Sequence, residues 1–173
     1  MITDLSILSL NIKGITSKIE NVIFVNLFHQ YDIIFLSELK CCYPFSIPGY
    51  VCIRSILVKG GEMRGGVAVL FRSHIWQFVY GIQQEYDQVW FRLKNTPNFI
   101  YGAIYIPPRD SPYFSTDSFA QIQSRCVQKD SKVLIMGDLN SRINNLLSLI
   151  TPFRIFLIQQ TLTPEQMLTD HTQ

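Results

Sequence analysis

The residues from Val133 to Asn140, with the sequence VLIMGDLN, decide the fold more than any other stretch of this chain. The apolar run at its start suits a buried strand, and this strand runs directly into Gly137 and Asp138. Loops beyond the ends of buried strands are where functional sites are commonly built. The segment therefore predicts a buried strand with polar site residues at its carboxyl end.

The same arrangement occurs twice nearer the N-terminus. The largely apolar residues 5–10 precede Asn11, and the apolar residues 33–36 lie just before Glu38. Carboxylates and amides that converge at strand ends would suit a hard cation such as Mg²⁺, which prefers oxygen ligands and takes only one or two carboxylates. Each of these residues alone could equally be a turn former or a helix cap.

The rest of the pattern predicts two helices and further strands. Ser17 and Glu20 resemble a capping box, from which a helix is expected to run to about Gln30. A second helix is expected from Asp117 to about Val127. Three more strands, which together look like an antiparallel meander, are predicted at 67–71, 89–93 and 99–106. Strands mixed with helices outside them predict an α/β or α+β sandwich.

Composition narrows the class of protein. Of the 173 residues, 47% are hydrophobic and 16% are charged, which suits one domain with a substantial core and excludes a disordered tail. The net charge of +2 gives no strong basic field that would by itself indicate nucleic-acid binding. The sequence shows neither a signal peptide nor an apolar run of the roughly 20 residues that a membrane helix needs. We therefore expect an intracellular protein, in the nucleus or the cytoplasm, with no membrane segment.

Five segments, taken in order, resemble the endonuclease/exonuclease/phosphatase superfamily and look most like the apurinic-type endonuclease domain of non-LTR retrotransposons. They are LNIKG at 10–14, DIIFLSE at 32–38, GGVAVL at 65–70, IYIPP at 104–108 and IMGDLN at 135–140. The resemblance implies a four-layered α/β sandwich that is incomplete or divergent at its C-terminus. Residues 1–142 would form this domain, and residues 143–173 would be a divergent tail.

The same resemblance implies a metal-dependent phosphodiesterase that nicks duplex DNA, with Mg²⁺ as its cofactor and Mn²⁺ as a substitute. Glu38 would bind the metal, with Asn11 beside it. Asp138 would orient or deprotonate the attacking water, and Asn140 would hold a phosphate oxygen. Tyr105 would contact the phosphate or stabilise the transition state.

The end of the chain departs from the family pattern. No Arg-Ile-Asp-like segment follows Arg142, which is itself the basic residue expected to contact a phosphate. The family's C-terminal Ser-Asp-His has only Thr169-Asp170-His171 as a counterpart. If a deletion has spared this motif, Asp170 is a further metal ligand and His171 a further catalytic residue. Otherwise the three residues match by chance, as short motifs often do.

Other functions stay open beside DNA nicking. The chain could be a catalytically inactive fragment of such a domain that acts as a binding module. It could also hydrolyse another phosphodiester or phosphomonoester, as a phosphoinositide phosphatase, a sphingomyelinase or a deadenylase would. The Tyr-Ile-Pro-Pro segment argues against this last group, and the sequence does not indicate an oligomeric state.

Overall fold

The computed structural model describes residues 4–56, 58–59, 62–63, 65–85, 87–126, 132–140 and 155–158. The helices within these ranges are α1 (Val22–Phe28), α2 (Ser73–Trp76) and α3 (Thr116–Cys126). The strands are β1 (Ile7–Asn11), β2 (Ile33–Ser37), β3 (Tyr50–Ser55), β4 (Val58–Lys59), β5 (Glu62–Met63), β6 (Val67–Arg72), β7 (Val79–Glu85), β8 (Gln88–Leu93), β9 (Phe99–Tyr105), β10 (Lys132–Asp138) and β11 (Ile155–Ile158).

The first sheet has the strand order β1-β2-β6-β3. Strands β1 and β2 are parallel, so that Asn11 lies opposite Ser37 at the carboxyl end of both. Strand β6 runs antiparallel to β2 on one side and to β3 on the other. The parallel pair places the residues that follow β1 and β2 at the same edge of the sheet.

The second sheet has the strand order β11-β10-β9-β8-β7. Strands β9, β10 and β11 are parallel to one another, and Asp138 lies opposite Tyr105. Strands β7, β8 and β9 are antiparallel. The site residues at the ends of β9 and β10 therefore share one edge, as they do in the first sheet.

The predicted meander is wrong in one respect, because the strand at 67–71 belongs to the first sheet and not to the second. This strand, β6, has five buried residues in succession, which is typical of a central strand covered on both faces. Its place in the meander is taken by β7, an edge strand with a largely exposed pattern that apolar periodicity does not reveal.

Three apolar clusters separate four layers. Phe28 of α1 packs with Leu36 on the outer face of the first sheet. Phe35, the neighbour of Leu36, points to the opposite face and packs with Phe91 between the two sheets. Ile122 of α3 packs on the outer face of the second sheet. This order of helix, sheet, sheet and helix confirms the predicted four-layered α/β sandwich.

The predicted start of the first helix is wrong. Residues 16–20 form turns, and α1 begins at Val22 with Asn21 as its N-cap. The Asn21 Oδ1 accepts hydrogen bonds from the backbone N–H groups of Ile23 and Phe24, at 2.9 Å and 3.2 Å. Asparagine caps a helix as well as serine does, so the capping-box pattern at Ser17 had a competitor four residues later.

Helix α3 confirms the second predicted helix over its described residues. Its first turn carries Asp117, whose negative charge interacts favourably with the positive end of the helix dipole. No helix within the described ranges is long and apolar enough to cross a membrane.

The predicted site residues Arg142, Asp170 and His171 lie outside the described residues. The division of the chain at residue 142 stays a prediction, although Ile155–Ile158, in the predicted tail, pairs with β10 as strand β11.

Candidate active site

Side chains from both sheets meet at one rim of the sandwich. Asn11 lies at the end of β1 and Glu38 follows β2, while Asp138 ends β10 in the other sheet. The Asn11 Nδ2 donates hydrogen bonds to Glu38 Oε1 at 2.9 Å and to Asp138 Oδ2 at 2.6 Å. A single amide therefore joins two carboxylates that are 100 positions apart in the sequence.

Backbone pairing beyond the strand ends fixes Glu38. The Ile12 N–H donates to the carbonyl of Ser37 at 3.0 Å, and the Gly14 N–H donates to the carbonyl of Glu38 at 2.8 Å. Glu38 itself has a φ of 55°, in the left-handed region that non-glycine residues seldom adopt. Such a conformation costs on the order of 1–3 kcal/mol and persists only where its surroundings impose it, most often at functional sites.

Asp138 and Asn140 are held by a compact network at the end of β10. The Asn140 backbone N–H donates to Asp138 Oδ1 at 3.0 Å, and its Nδ2 donates to the carbonyl of Ile106 at 2.9 Å. The Ile106 N–H in turn donates to the Asp138 carbonyl at 2.9 Å. Asn140, with a φ of 44°, therefore fixes the Asp138 carboxylate and ties it to the loop that follows β9.

The two carboxylates have opposite pKa shifts. Burial raises the pKa of Asp138, and the negative charge of Glu38 raises it further, against the Asn140 N–H and Asn11 hydrogen bonds that lower it. Burial also acts to raise the pKa of Glu38, but hydrogen bonds from Lys40 and Asn11 and the charges of Lys40 and Lys13 outweigh it, so that this pKa is lowered. Glu38 is thus the carboxylate that loses its proton more readily, and Asp138 is the one that accepts a proton more readily.

Within the described ranges no group of three or more His, Cys, Asp or Glu side chains could hold a metal ion, so the protein ligands for a hard divalent cation here reduce to two carboxylates. Glu38 and Asp138 lie close together, so the negative charge of Glu38 adds to the effect of burial in raising the pKa of Asp138. The Lys40 Nζ lies 2.8 Å from Glu38 Oε2, so a metal cation at this oxygen would compete with the lysine ammonium. One or two carboxylates with water in the remaining positions are what Mg²⁺ takes in proteins. Asn11 turns its Nδ2 to the carboxylates while its Oδ1 accepts from the Lys13 N–H at 3.1 Å.

Tyr105 lies beside the carboxylates with its ring against the backbone of Gly65. A Cβ atom at Gly65 would lie 2.5 Å from the ring, so only glycine permits this approach. Burial raises the pKa of the Tyr105 hydroxyl, as do the charges of Glu38, Asp138 and Asp87, to about 12. The hydroxyl is therefore protonated at neutral pH and can donate a hydrogen bond to an anionic oxygen.

Two residues of this site, Lys40 and Asp87, have no signal in the sequence. Lys40 pairs with Glu38, but a lysine two positions after an acid has no distinctive pattern. Asp87 is only 2% exposed, and its Oδ1 accepts from the Gly66 N–H at 3.0 Å while its carbonyl accepts from the Tyr105 N–H at 3.0 Å. Asp87 lies far from Gly66 in the sequence, so nothing local indicates that it supports the backbone around Tyr105.

Two stacked mixed sheets with an acidic site at one rim form the architecture of a sandwich-type nuclease or phosphatase. The chain belongs to the Endonuclease/Exonuclease/phosphatase family, which it matches over residues 8–166. This match extends past residue 142, where the resemblance of individual motifs ends.

Similar proteins include a retroelement protein and solved nuclease structures. A probable RNA-directed DNA polymerase from transposon X-element of Drosophila melanogaster is 28% identical over 142 residues, which are 79% of this chain and 15% of that protein. The AP endonuclease from Archaeoglobus fulgidus matches with a TM-score of 0.56 at 18% identity, over 84% of this chain and 63% of that one. The 3′ phosphatase NExo from Neisseria, solved bound to a product DNA hairpin, matches with a TM-score of 0.55 at 18% identity, over 79% of this chain and 58% of that one. The chain thus spans only part of the length of each of these proteins.

Proposed function

We propose that this chain is a Mg²⁺-dependent phosphodiesterase that nicks duplex DNA. The observation that carries the proposal is the bridge from Asn11 to both Glu38 and Asp138, which brings a metal-binding carboxylate and a proton acceptor together. The transposon relative, the AP endonuclease and the phosphatase with its DNA hairpin support DNA as the substrate.

Each side chain then has a distinct task. Glu38 would hold Mg²⁺, which supplies polarisation of the phosphoryl oxygen and steadies the leaving oxygen when it is bound. Asp138 orients the attacking water and takes its proton, a task that its raised pKa favours because a general base works best when its pKa approaches the working pH. The protonated Tyr105 hydroxyl donates to a phosphate oxygen as negative charge develops there.

Asn11 and Asn140 arrange these groups. Asn11 keeps the two carboxylates in one orientation, and this positioning role is the one that its donated hydrogen bonds support best. Asn140 uses one hydrogen of its Nδ2 for the carbonyl of Ile106, and the second hydrogen would reach a phosphate oxygen. Arg142 remains our candidate for a further phosphate contact. Asp170 remains our candidate for a further metal ligand, and His171 for a further catalytic residue.

The test is nicking of supercoiled plasmid DNA by the purified chain, with Mg²⁺, with Mn²⁺ and with a chelator. We expect nicking in either metal and none with the chelator. Asp138→Ala should reduce the rate by about 10²–10⁴-fold, the range over which a positioned acid or base contributes. Asp117→Asn, which removes an exposed carboxylate on α3, is the matched control and should nick at the normal rate.

The outcome separates the proposal from its alternative. Nicking that persists in Asp138→Ala would remove Asp138 from the mechanism. A folded protein that does not nick in either metal would contradict the proposal and leave the family and the fold unchanged. It would favour a catalytically inactive domain that only binds its ligand.

A further inference from the structure

Ser37, the last residue of β2, is a buried polar residue to which no catalytic role has been given. It is 1% exposed, and its hydroxyl oxygen, Oγ, has no hydrogen-bond partner among the described residues. Most buried polar groups in proteins are paired with a protein atom or an ordered water molecule, because an unpaired buried hydroxyl costs free energy. The Ser37 hydroxyl therefore indicates a bound partner at this position.

The register of the strands fixes the direction of this side chain. Ser37 lies opposite Asn11 on β1 and opposite Val67 on β6, and partners in register project from the same face of a sheet. Val67 packs in the apolar cluster between the two sheets, as does Phe35, two positions before Ser37 on β2. The Ser37 hydroxyl therefore points toward the second sheet, on the face from which Asn11 reaches Asp138.

The second sheet presents Asp138 on the facing side. Met136 of β10 packs in the same cluster between the sheets, and side chains alternate along a strand, so Asp138, two positions later, projects the same way. An ionised carboxylate has about four acceptor positions on its two oxygens. Asn11 fills one position on Oδ2 and the Asn140 N–H fills one on Oδ1, so each oxygen can accept one further hydrogen bond.

The small size of serine leaves room for a bound molecule between the sheets. Stacked sheets lie roughly 10 Å apart, a space that Phe35 and Met136 help to fill with large side chains, whereas a serine side chain ends at the atom after Cβ. A hydroxyl on one face and a carboxylate on the other supply the polar partners that a buried water needs. A neutral donor suits this position, since the Asp138 carboxylate would repel an anion.

We propose that Ser37 is a positioning residue whose hydroxyl holds one buried water, and that this water donates a hydrogen bond to the Asp138 carboxylate. The buried water supports Asp138 from inside the sandwich and leaves an acceptor position free toward the rim, where the attacking water would bind. Together with Asn11 and Asn140, it keeps the carboxylate in one orientation. The inference rests on the proposed function, since it takes Asp138 as the proton acceptor.

Crystal structures of the whole chain and of Ser37→Ala, both in chelator, test the water directly. We expect an ordered water within hydrogen-bonding distance of both Ser37 Oγ and an Asp138 oxygen. In Ser37→Ala this water should be lost, and the side-chain torsion angles of Asp138 should change. The inference is overturned if a protein atom pairs with Ser37 Oγ, if no water contacts it, or if the water does not reach Asp138.

Nicking of supercoiled plasmid DNA separates a positioning role from a structural one. Ser37→Ala should lower kcat about tenfold, at the lower end of the range for outer hydrogen-bond partners of site residues. KM should stay almost unchanged, because the substrate keeps its own contacts. Ser55→Ala removes another buried serine at the same end of the first sheet and is the matched control, with a normal kcat.

The two proposals can fail independently of each other. If Ser37→Ala melts at a higher temperature and nicks at the normal rate, the hydroxyl has no partner, and the positioning role fails while the proposed function stands. If the unchanged chain does not nick, the crystal structures still decide. A water between Ser37 and Asp138 whose loss reorients the carboxylate would uphold the positioning role, and only the proposed nuclease would fail.

Discussion

At the scale of single residues, Asn11 is the side chain on which the candidate site depends. Its Nδ2 donates to a carboxylate from each sheet, so Asn11→Asp would replace two hydrogen bonds with a third negative charge. In chelator we expect the free energy of unfolding to fall by about 1–3 kcal/mol, the cost of a lost donor to a charged group. Mg²⁺ should then raise the melting temperature by more than in the unchanged chain, because a ligand stabilises the state that binds it better.

Thermal melts in chelator and in Mg²⁺ make this measurement. Asn95→Asp, at an exposed turn between β8 and β9, introduces the same charge and should leave both melting temperatures almost unchanged. If Mg²⁺ shifts Asn11→Asp no more than it shifts Asn95→Asp, the carboxylates at this rim do not form a cation site.

The residues of the site differ in how far their positions follow from sequence. An apolar strand precedes each of Asn11, Glu38 and Asp138, and residues at the carboxyl ends of such strands are expected at one edge. Tyr105 is predicted from the family resemblance. Lys40 and Asp87 could not be found in this way. Their contacts depend on a left-handed backbone and on a partner more than 20 positions away, neither of which leaves a local pattern.

At the scale of elements, β10 shows why a glycine precedes Asp138. Gly137 has a φ of 138°, and a Cβ atom there would lie 1.9 Å from the carbonyl oxygen of Ile104 on β9. Gly137→Ala must therefore separate β9 from β10 at the point where Tyr105 and Asp138 are paired. We expect its free energy of unfolding to fall by more than about 3 kcal/mol, within the range of the most damaging single substitutions.

Urea denaturation of two glycine variants checks this reasoning. Gly81 in β7 also has a positive φ, of 62°, but no atom lies within 4 Å of the Cβ position. Gly81→Ala should therefore cost only the backbone strain, about 1–2 kcal/mol. Equal losses in the two variants would mean that contact with Ile104 does not matter and that backbone conformation alone fixes Gly137.

Whole elements were easier to predict than their ends or their partners. Strands β6, β8, β9 and β10 follow from apolar runs, because burial determines both the sequence and the structure there. The start of α1 and the sheet to which β6 belongs do not follow in this way. The start of a helix depends on which of two nearby polar side chains reaches the free N–H groups of its first turn. The apolar residues of a buried strand do not indicate which strand it pairs with.

At the scale of the whole molecule, the site exists only while both sheets are stacked, since Asn11 and Glu38 come from one and Asp138 from the other. The stack is held by aromatic rings. The ring of Phe91 lies 4.8 Å from Phe71 of the first sheet, edge to face, and 5.1 Å from Tyr101 of its own sheet. Phe91→Ala should lower the free energy of unfolding by about 3–5 kcal/mol, the usual cost of a buried Phe-to-Ala change.

Two tryptophans allow each layer to be followed separately. Trp76 of α2 contacts Phe71 and packs on the cluster between the two sheets, and Trp90 packs in the cluster beneath α3 on the outer face of the second sheet. In Trp90→Phe and Trp76→Phe backgrounds, the remaining fluorophore reports one layer during urea denaturation. If the sheets unfold as one unit, Phe91→Ala should move both transitions to lower urea by the same amount. A shift seen only by Trp90 would mean that the second sheet unfolds alone, and the carboxylates would then be joined only in part of the folded population.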